Sequence, residues 1–310
     1  MAETIGVLLM AYGGPNSLDD IPAYLQDVRG GRPTSDELLA EITENYRRIG
    51  GKSPLLELTQ RQAALVEARL NIGAPPGRRY KTYIGMRHWT PWIEDAVDQM
   101  MADGIRRAVA LVLAPHYSRL SIARYFAKLD AALARHPDAF SVTPITCYHD
   151  HPLYIEALAR RVRDGLAAMP ADTLVIFSAH SLPQRILDEG DPYDAQLRET
   201  ARLVAEQAGL PADQWTFSYQ SAGRTPEPWL GPQLEHYVVE LAQQGYRNLL
   251  SVPVGFVADH VEVLFDIDIK AREAAKAAGA RLERVPSLND DPLFIAALAD
   301  LVRAAEGARV

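Results

Sequence analysis

The sequence predicts an α/β protein built from two similar Rossmann-like, doubly wound domains with parallel sheets and a cleft between them. Three observations carry this prediction. Short continuous apolar runs alternate with longer amphipathic ones along all 310 residues. Runs of that kind suit strands buried on both faces, as in parallel sheets covered by helices. The chain is also too long for one ordinary hydrophobic core. Finally, it repeats itself. Met10-Ala-Tyr-Gly-Gly-Pro15 matches Ser178-Ala-His-Ser-Leu-Pro183, Arg87-His-Trp-Thr-Pro-Trp92 echoes Arg224-Thr-Pro-Glu-Pro-Trp229, and His151-Pro-Leu-Tyr-Ile-Glu-Ala-Leu158 matches Asp291-Pro-Leu-Phe-Ile-Ala-Ala-Leu298.

The elements follow in order. Residues 5–11 are almost wholly apolar and end at Tyr12, so they read as a strand. The helical pattern of 56–71 leads to strand 80–86. Strand 108–114 comes next, far too short to span a bilayer. The helical pattern of 121–135 follows. Strand 141–146 and helix 152–168 close the first half. The second half runs strand 173–179, helix 194–208, strand 215–220, helix 232–244, strand 248–254, helix 261–277, strand 281–285 and helix 292–304. The expected domains are 1–150 and 151–310. The spacing between matched blocks shrinks from the first pair to the second, which places an insertion in the first half. Residues 16–51 are its natural place, beside a strand end, where they are expected to form a lip over the cleft.

Open α/β sheets bind ligands outside the carboxyl ends of their strands. His180 stands at one such end, in Val175-Ile-Phe-Ser-Ala-His-Ser-Leu-Pro183, and imidazole exchanges protons near neutral pH. The repeat sets Tyr12 at the matching position of the first half. A phenol and an imidazole are therefore expected at one cleft. Gly255-Phe-Val-Ala-Asp-His-Val-Glu262 leaves another apolar strand and enters a helix. Glu262 falls near that helix start, and Glu262, Asp266 and Lys270 are spaced to share one helix face. For Asp266 an ordinary solvated acidic face is an equal alternative. His180 with Glu262 makes a pair able to accept protons and to hold a divalent cation in transit.

Other signals are blander. The net charge of −8 makes a nucleic-acid partner improbable, because such binders usually show a basic face. The single Cys147 excludes an internal disulfide and any cysteine-built cluster, and a reducing cytoplasm fits it. No signal peptide and no transmembrane segment are visible. Gly50-Gly-Lys-Ser53 looks like the end of a P-loop, but Tyr46 occupies the position of the first glycine. Neither a dinucleotide glycine fingerprint nor a nucleophile elbow is present. His149-Asp-His151 and its counterpart Asn289-Asp-Asp291 precede proline at helix starts and read as capping rather than metal ligation. His88, His116 and His260 lie near strand ends and are assigned no chemistry. Arg29, Arg32, Arg47 and Arg48 gather with Ser53 in the lip, where arginines suit carboxylates. Tyr125 adds a hydroxyl.

These blocks, together with Tyr46-Arg-Arg-Ile-Gly-Gly-Lys-Ser-Pro54, Ala114-Pro-His-Tyr-Ser118, Tyr219-Gln-Ser221 and Pro228-Trp-Leu-Gly-Pro232, resemble ferrochelatase from about residue 4 to 305. The resemblance implies a lyase of haem and porphyrin biosynthesis that inserts Fe²⁺ into a porphyrin. Porphyrin and Fe²⁺ are then substrates, no cofactor is permanently bound, and transient contact with neighbouring haem-pathway enzymes is expected. It puts the catalytic histidine at His180, its acidic partner at Glu262 and the opposing tyrosine at Tyr12, with these three as metal contacts. Arg29, Ser53 and Tyr125 fall on propionate-binding positions. Asn45 stands where some members carry a second arginine, so Arg47 or Arg48 substitutes or one propionate is held more loosely. Lys270 stands where some relatives have glutamate, which puts an auxiliary metal site there in doubt. The polar lip, the short C-terminus and the lack of a four-cysteine cluster look like the soluble bacterial coproporphyrin III type. Protoporphyrin IX is the competing substrate. Another metal such as cobalt, or a porphyrin or haem carrier without catalysis, are the alternative functions.

Overall fold

The computed structural model describes residues 3–307. All eight predicted strands are present, each with both ends within two residues of expectation. They are β1 (Glu3–Ala11), β2 (Arg78–Met86), β3 (Arg107–Val112), β4 (Ser141–Ile145), β5 (Leu174–His180), β6 (Trp215–Gln220), β7 (Asn248–Pro253) and β8 (Arg281–Arg284). They form two four-stranded parallel sheets with the same order, β2-β1-β3-β4 and β6-β5-β7-β8. The central strands explain their composition. From Ile5 to Ala11 in β1 and from Leu174 to Ala179 in β5 every residue is buried, because each strand is covered on both faces. The edge strand β4 is only half-buried and carries Pro144, whose missing N–H is tolerated at an edge.

The chain divides into two compact units. One runs to Tyr148 and resumes at Asn289; the other is His149–Leu288. This differs from the expected boundary at the C-terminal end. The last helix, Pro292–Gly307, packs on the helix Leu55–Asn71 and on β3 and β4, so it belongs with the first unit and not with 151–310. The residues just before it fit this. The Gln62 amide donates to the Asn289 carbonyl at 2.7 Å, and Arg61 pairs with Asp290 at 3.3 Å.

In the first unit the helices are α1 (Ile21–Val28), α2 (Asp36–Arg48), α3 (Leu55–Asn71), α4 (Ile93–Ala102) and α5 (Ile122–Leu133). Both α1 and α2 lie inside the segment 16–51, so the insertion is helical and not a bare loop. The Ser35 hydroxyl caps α2 by accepting from the Leu38 N–H. In the second unit come α6 (Pro152–Ala167), α7 (Arg185–Asp188), α8 (Tyr193–Ala208), α9 (Leu234–Gln243), α10 (Val261–Leu264) and α11 (Arg272–Ala277). The predicted helix 261–277 is interrupted between α10 and α11 by a π-helical stretch, Asp266–Ala271. The final helix is α12.

In each sheet the second strand is laid on one side of the first, and the third returns to the other side. Strand order therefore reverses between β1 and β3 and between β5 and β7. The carboxyl ends at such a reversal flank a crevice, because their connections leave in opposite directions.

Candidate active site

In the second unit, His180 is the last residue of β5, and Glu262 lies on the connection that leaves β7, so the two come from the strands at the reversal. Three features hold them there. Gly255 lies against β5 so closely that a Cβ would meet the Ala179 Cβ at 2.6 Å and its Cα at 3.0 Å; only glycine lets the connection pass. The Gln220 side chain donates to the Glu262 carbonyl at 2.8 Å and accepts from the Ser178 hydroxyl at 2.8 Å. The buried Tyr193 hydroxyl donates to the His180 carbonyl at 3.0 Å.

The result is a hydrogen bond of 2.7 Å between His180 Nδ1 and Glu262 Oε2. The side chains retain 32% and 27% of their exposure, so the dyad is open to a ligand without being fully solvated. Burial opposes charge on His180, but the nearby Glu262 carboxylate and its hydrogen bond, with Asp266 beyond, outweigh it and raise the imidazole pKa. Burial likewise opposes ionisation of Glu262, and the imidazole overcomes it and holds the carboxyl below the usual range. With Nδ1 occupied by Glu262, the neutral ring carries its proton on Nδ1 and leaves the Nε2 lone pair free to accept one.

Asp266 joins this pair through Ser221, whose hydroxyl donates to its carboxylate. Ser221 follows β6 and has a backbone φ of 60°. Burial, together with the Glu262 charge, pushes the Asp266 carboxyl up to about 6, against the Ser221 bond and Lys270. Asp266 is thus a partly buried group near neutrality and not a solvated acidic face. The α-helical ladder expected through Glu262, Asp266 and Lys270 is altered by the π stretch. There the Lys270 N–H reaches the Phe265 carbonyl five residues back, at 2.9 Å, and the Lys270 side chain turns to Glu235 of α9 at 2.7 Å. Among the described residues no three His, Cys, Asp or Glu side chains are grouped to hold a metal ion.

The first unit places Tyr12 just beyond β1, with 37% of its surface exposed. Its ring lies 4.6 Å from that of His88, which bonds Asp27 of α1 at 2.7 Å. Burial holds His88 down to about 4 despite that carboxylate, so this ring is neutral. Gly14 leaves no room for a Cβ, which would fall 2.7 Å from the Ser53 hydroxyl; the Ser53 N–H in turn donates to the Pro15 carbonyl at 2.9 Å. Ser53 is consequently buried against the Tyr12 loop. Arg29 ends α1. One Nη donates to the Pro33 carbonyl at 3.1 Å, while its Nε is shielded from solvent with no acceptor among the described residues.

Other predicted residues are placed differently. Arg47 is exposed and paired with Glu44 one turn before it. Tyr125 is 4% exposed within the core of the first unit, under the Arg87 guanidinium. Capping holds for Asp291, whose carboxylate accepts from the Leu293 N–H at 2.8 Å. His151 occupies the matching N-cap but makes no side-chain capping bond, and His149 pairs with Glu199 at 2.9 Å. Sequence reasoning assigned no role to Gln220, Ser221 or Tyr193. Gln220 and Ser221 belong to the Tyr219-Gln-Ser221 block that carries the family resemblance, and that block by itself gives neither a role.

The model of the family described as ferrochelatase matches residues 4–306. The chain belongs to the ferrochelatase family. A ferrochelatase of Deinococcus radiodurans is 56% identical over 304 residues, covering 97% of this chain and 95% of that one. The coproporphyrin III ferrochelatase of Geobacillus thermodenitrificans is 43% identical over 305 residues, with 97% and 95% covered. Among solved structures, SirB from Bacillus subtilis with Fe³⁺ aligns over 98% of this chain and 95% of its own, with a TM-score of 0.59 and 12% identity, a likeness of fold alone. Among the described residues no helix is long and apolar enough to cross a membrane.

Proposed function

We propose that this member of the ferrochelatase family inserts Fe²⁺ into a porphyrin, with coproporphyrin III as the preferred substrate, as a cytoplasmic enzyme of haem biosynthesis. The observation that carries the chemistry is the 2.7 Å bond between His180 and Glu262 at the strand reversal. Metal insertion releases two pyrrole protons, so the site needs a base whose conjugate acid is stabilised. His180 Nε2 accepts the first proton. The imidazolium that forms is held by Glu262, already ionised and already in place, so no group has to reorganise as charge develops. Asp266, near neutrality, is suited to receive a proton or release one. Iron is a substrate here, met in passing by His180 and Glu262. Tyr12 is assigned to the macrocycle, as a phenol contact and then an axial ligand to the inserted iron.

Arg29 and Ser53 are assigned to propionates. The shielded Nε of Arg29 is the kind of donor that a carboxylate satisfies. Arg47 is given a weaker, outer role because Glu44 competes for its charge. Tyr125 is left as a core residue with little surface to offer a ligand. A substrate with four propionates suits a segment this rich in arginine better than one in which two are replaced by vinyls.

The test compares anaerobic Fe²⁺ insertion into coproporphyrin III and protoporphyrin IX side by side, with His180→Ala as control. The expected result is turnover of coproporphyrin III with the higher kcat/KM, and loss of insertion in the variant with porphyrin binding retained. Tight stoichiometric binding without insertion would assign the chain to a carrier. Preference for protoporphyrin IX would overturn the substrate assignment alone.

A further inference from the structure

Arg284 is the last residue of β8, a strand laddered to β7, and its side chain is only 10% exposed. Its Nε and Nη2 donate to the two oxygens of Asp268, both at 2.8 Å, in a bidentate pair. Its Nη1 lies 3.3 Å from Asp259 Oδ1 and donates to the Val285 carbonyl at 3.0 Å and the Ser287 hydroxyl at 3.1 Å. Ser287 completes the set by donating to Asp259 at 2.7 Å. Arg272 approaches Asp268 only distantly, at 3.9 Å.

The two carboxylates bracket the working segment. Asp259 comes three residues before Glu262, and Asp268 two residues after Asp266. Between them lies the change from α10 to the π stretch, where the Lys270 and Ile269 N–H groups share the Phe265 carbonyl at 2.9 and 3.2 Å. A π turn is an uncommon geometry that neighbouring contacts must hold. Without such contacts the segment would relax toward an α-helix, turning Asp266 away from Ser221 and shifting Glu262 relative to His180.

We propose that Arg284 is a positioning residue for the reaction at His180, a guanidinium fixed to the sheet that clamps the Glu262- and Asp266-bearing segment at both ends. The kinetic part rests on the function proposed above; the geometric part does not. The experiment uses the full chain as wild type, Arg284→Lys, Arg284→Met, Asp268→Asn and the Arg284→Met/Asp268→Asn pair. It measures kcat and KM for iron insertion, porphyrin affinity by fluorescence, and the downfield ¹H resonance of the His180 Nδ1 proton.

Arg284→Met should lower kcat at least about tenfold, leave porphyrin affinity within about twofold, and move or abolish the proton resonance. Arg284→Lys should recover part of the rate, because it keeps the charge and loses the fork. The double variant should be no slower than the slower single, since both break one clamp. If Arg284→Met does not fold, Asp268→Asn carries the same expectations. A folded Arg284→Met or Asp268→Asn with wild-type kcat and an unchanged resonance would overturn the proposal. So would a fall in kcat matched by porphyrin affinity, with no rescue by lysine. If the wild type inserts no iron yet the resonance responds to Arg284, the catalytic function fails while the clamp stands.

Discussion

Replacing Glu262 by glutamine tests the dyad directly, because the amide keeps the size of the side chain and removes its charge. With the hydrogen-bonded atoms 2.7 Å apart, the charge centres of the imidazolium and carboxylate are ~4 Å from each other. At an effective dielectric of ~20 their attraction is about 4 kcal/mol. Desolvation of a pair that retains roughly a quarter to a third of its exposure offsets part of it, leaving about 2–4 kcal/mol. If most of that stabilises the proton arriving on His180 in the transition state, kcat should fall about 30- to 1000-fold. The pH profile supplies the sharper test. The His180 pKa is raised chiefly by Glu262 against burial. Without the carboxylate it falls, so the imidazole stays neutral to lower pH. The acid limb of kcat/KM, which rises as His180 loses its proton, should therefore move to lower pH even as the plateau drops. Steady-state insertion across pH 5–9, followed by the porphyrin absorption bands, reads both effects. A limb that stays in place or moves upward, or a rate within about twofold of wild type, would refute the assignment of Glu262 as the partner of the base.

Two further outcomes follow from packing and titration. His88 is held neutral, with a folded pKa of about 4 against an ordinary 6.5. Below pH 6.5 the unfolded chain takes up a proton that the native state refuses, so stability is lost as pH falls toward 4, by an amount on the order of 2–3 kcal/mol. Urea unfolding at pH 7.0 and 4.5 should show a smaller loss in His88→Gln than in wild type; equal losses would remove His88 from the account. Gly255→Ala forces a methyl into the Ala179 backbone, which should cost about 1–3 kcal/mol, lower Tm and reduce insertion as the Glu262 connection shifts. A variant with unchanged Tm would show that β5 yields at that point.

How much of this was legible beforehand depends on the range of the forces involved. The central strands β1 and β5 were readable because a strand covered on both faces must be apolar at nearly every position, the half-buried strands such as β4 and β8 were readable from their place in the alternation with helices, and the His180 half and Tyr12 half were readable from their repeated blocks. His180 and Glu262 were legible as strand-end residues. Their hydrogen bond was not, since they are far apart in sequence and meet only because β5 and β7 are laddered together. The helices α1 and α2 were hard to read because they bury few side chains, only Tyr46 in α2, whereas α4 carries a regular apolar face at Ile93, Ala96, Val97 and Met100 that the short run left unassigned.

Local chemistry, then, determined the element types, the repeat and the residues capable of acid–base work. Three-dimensional packing decided the rest. It sent α12 to the first unit, because that helix finds its apolar partners on α3, β3 and β4. It buried Tyr125 in the first core, where an amphipathic pattern alone left its ring free to face either way. It also converted a regular helix into a π turn tied by Arg284, a geometry that no local preference specifies and that contacts from outside the helix sustain.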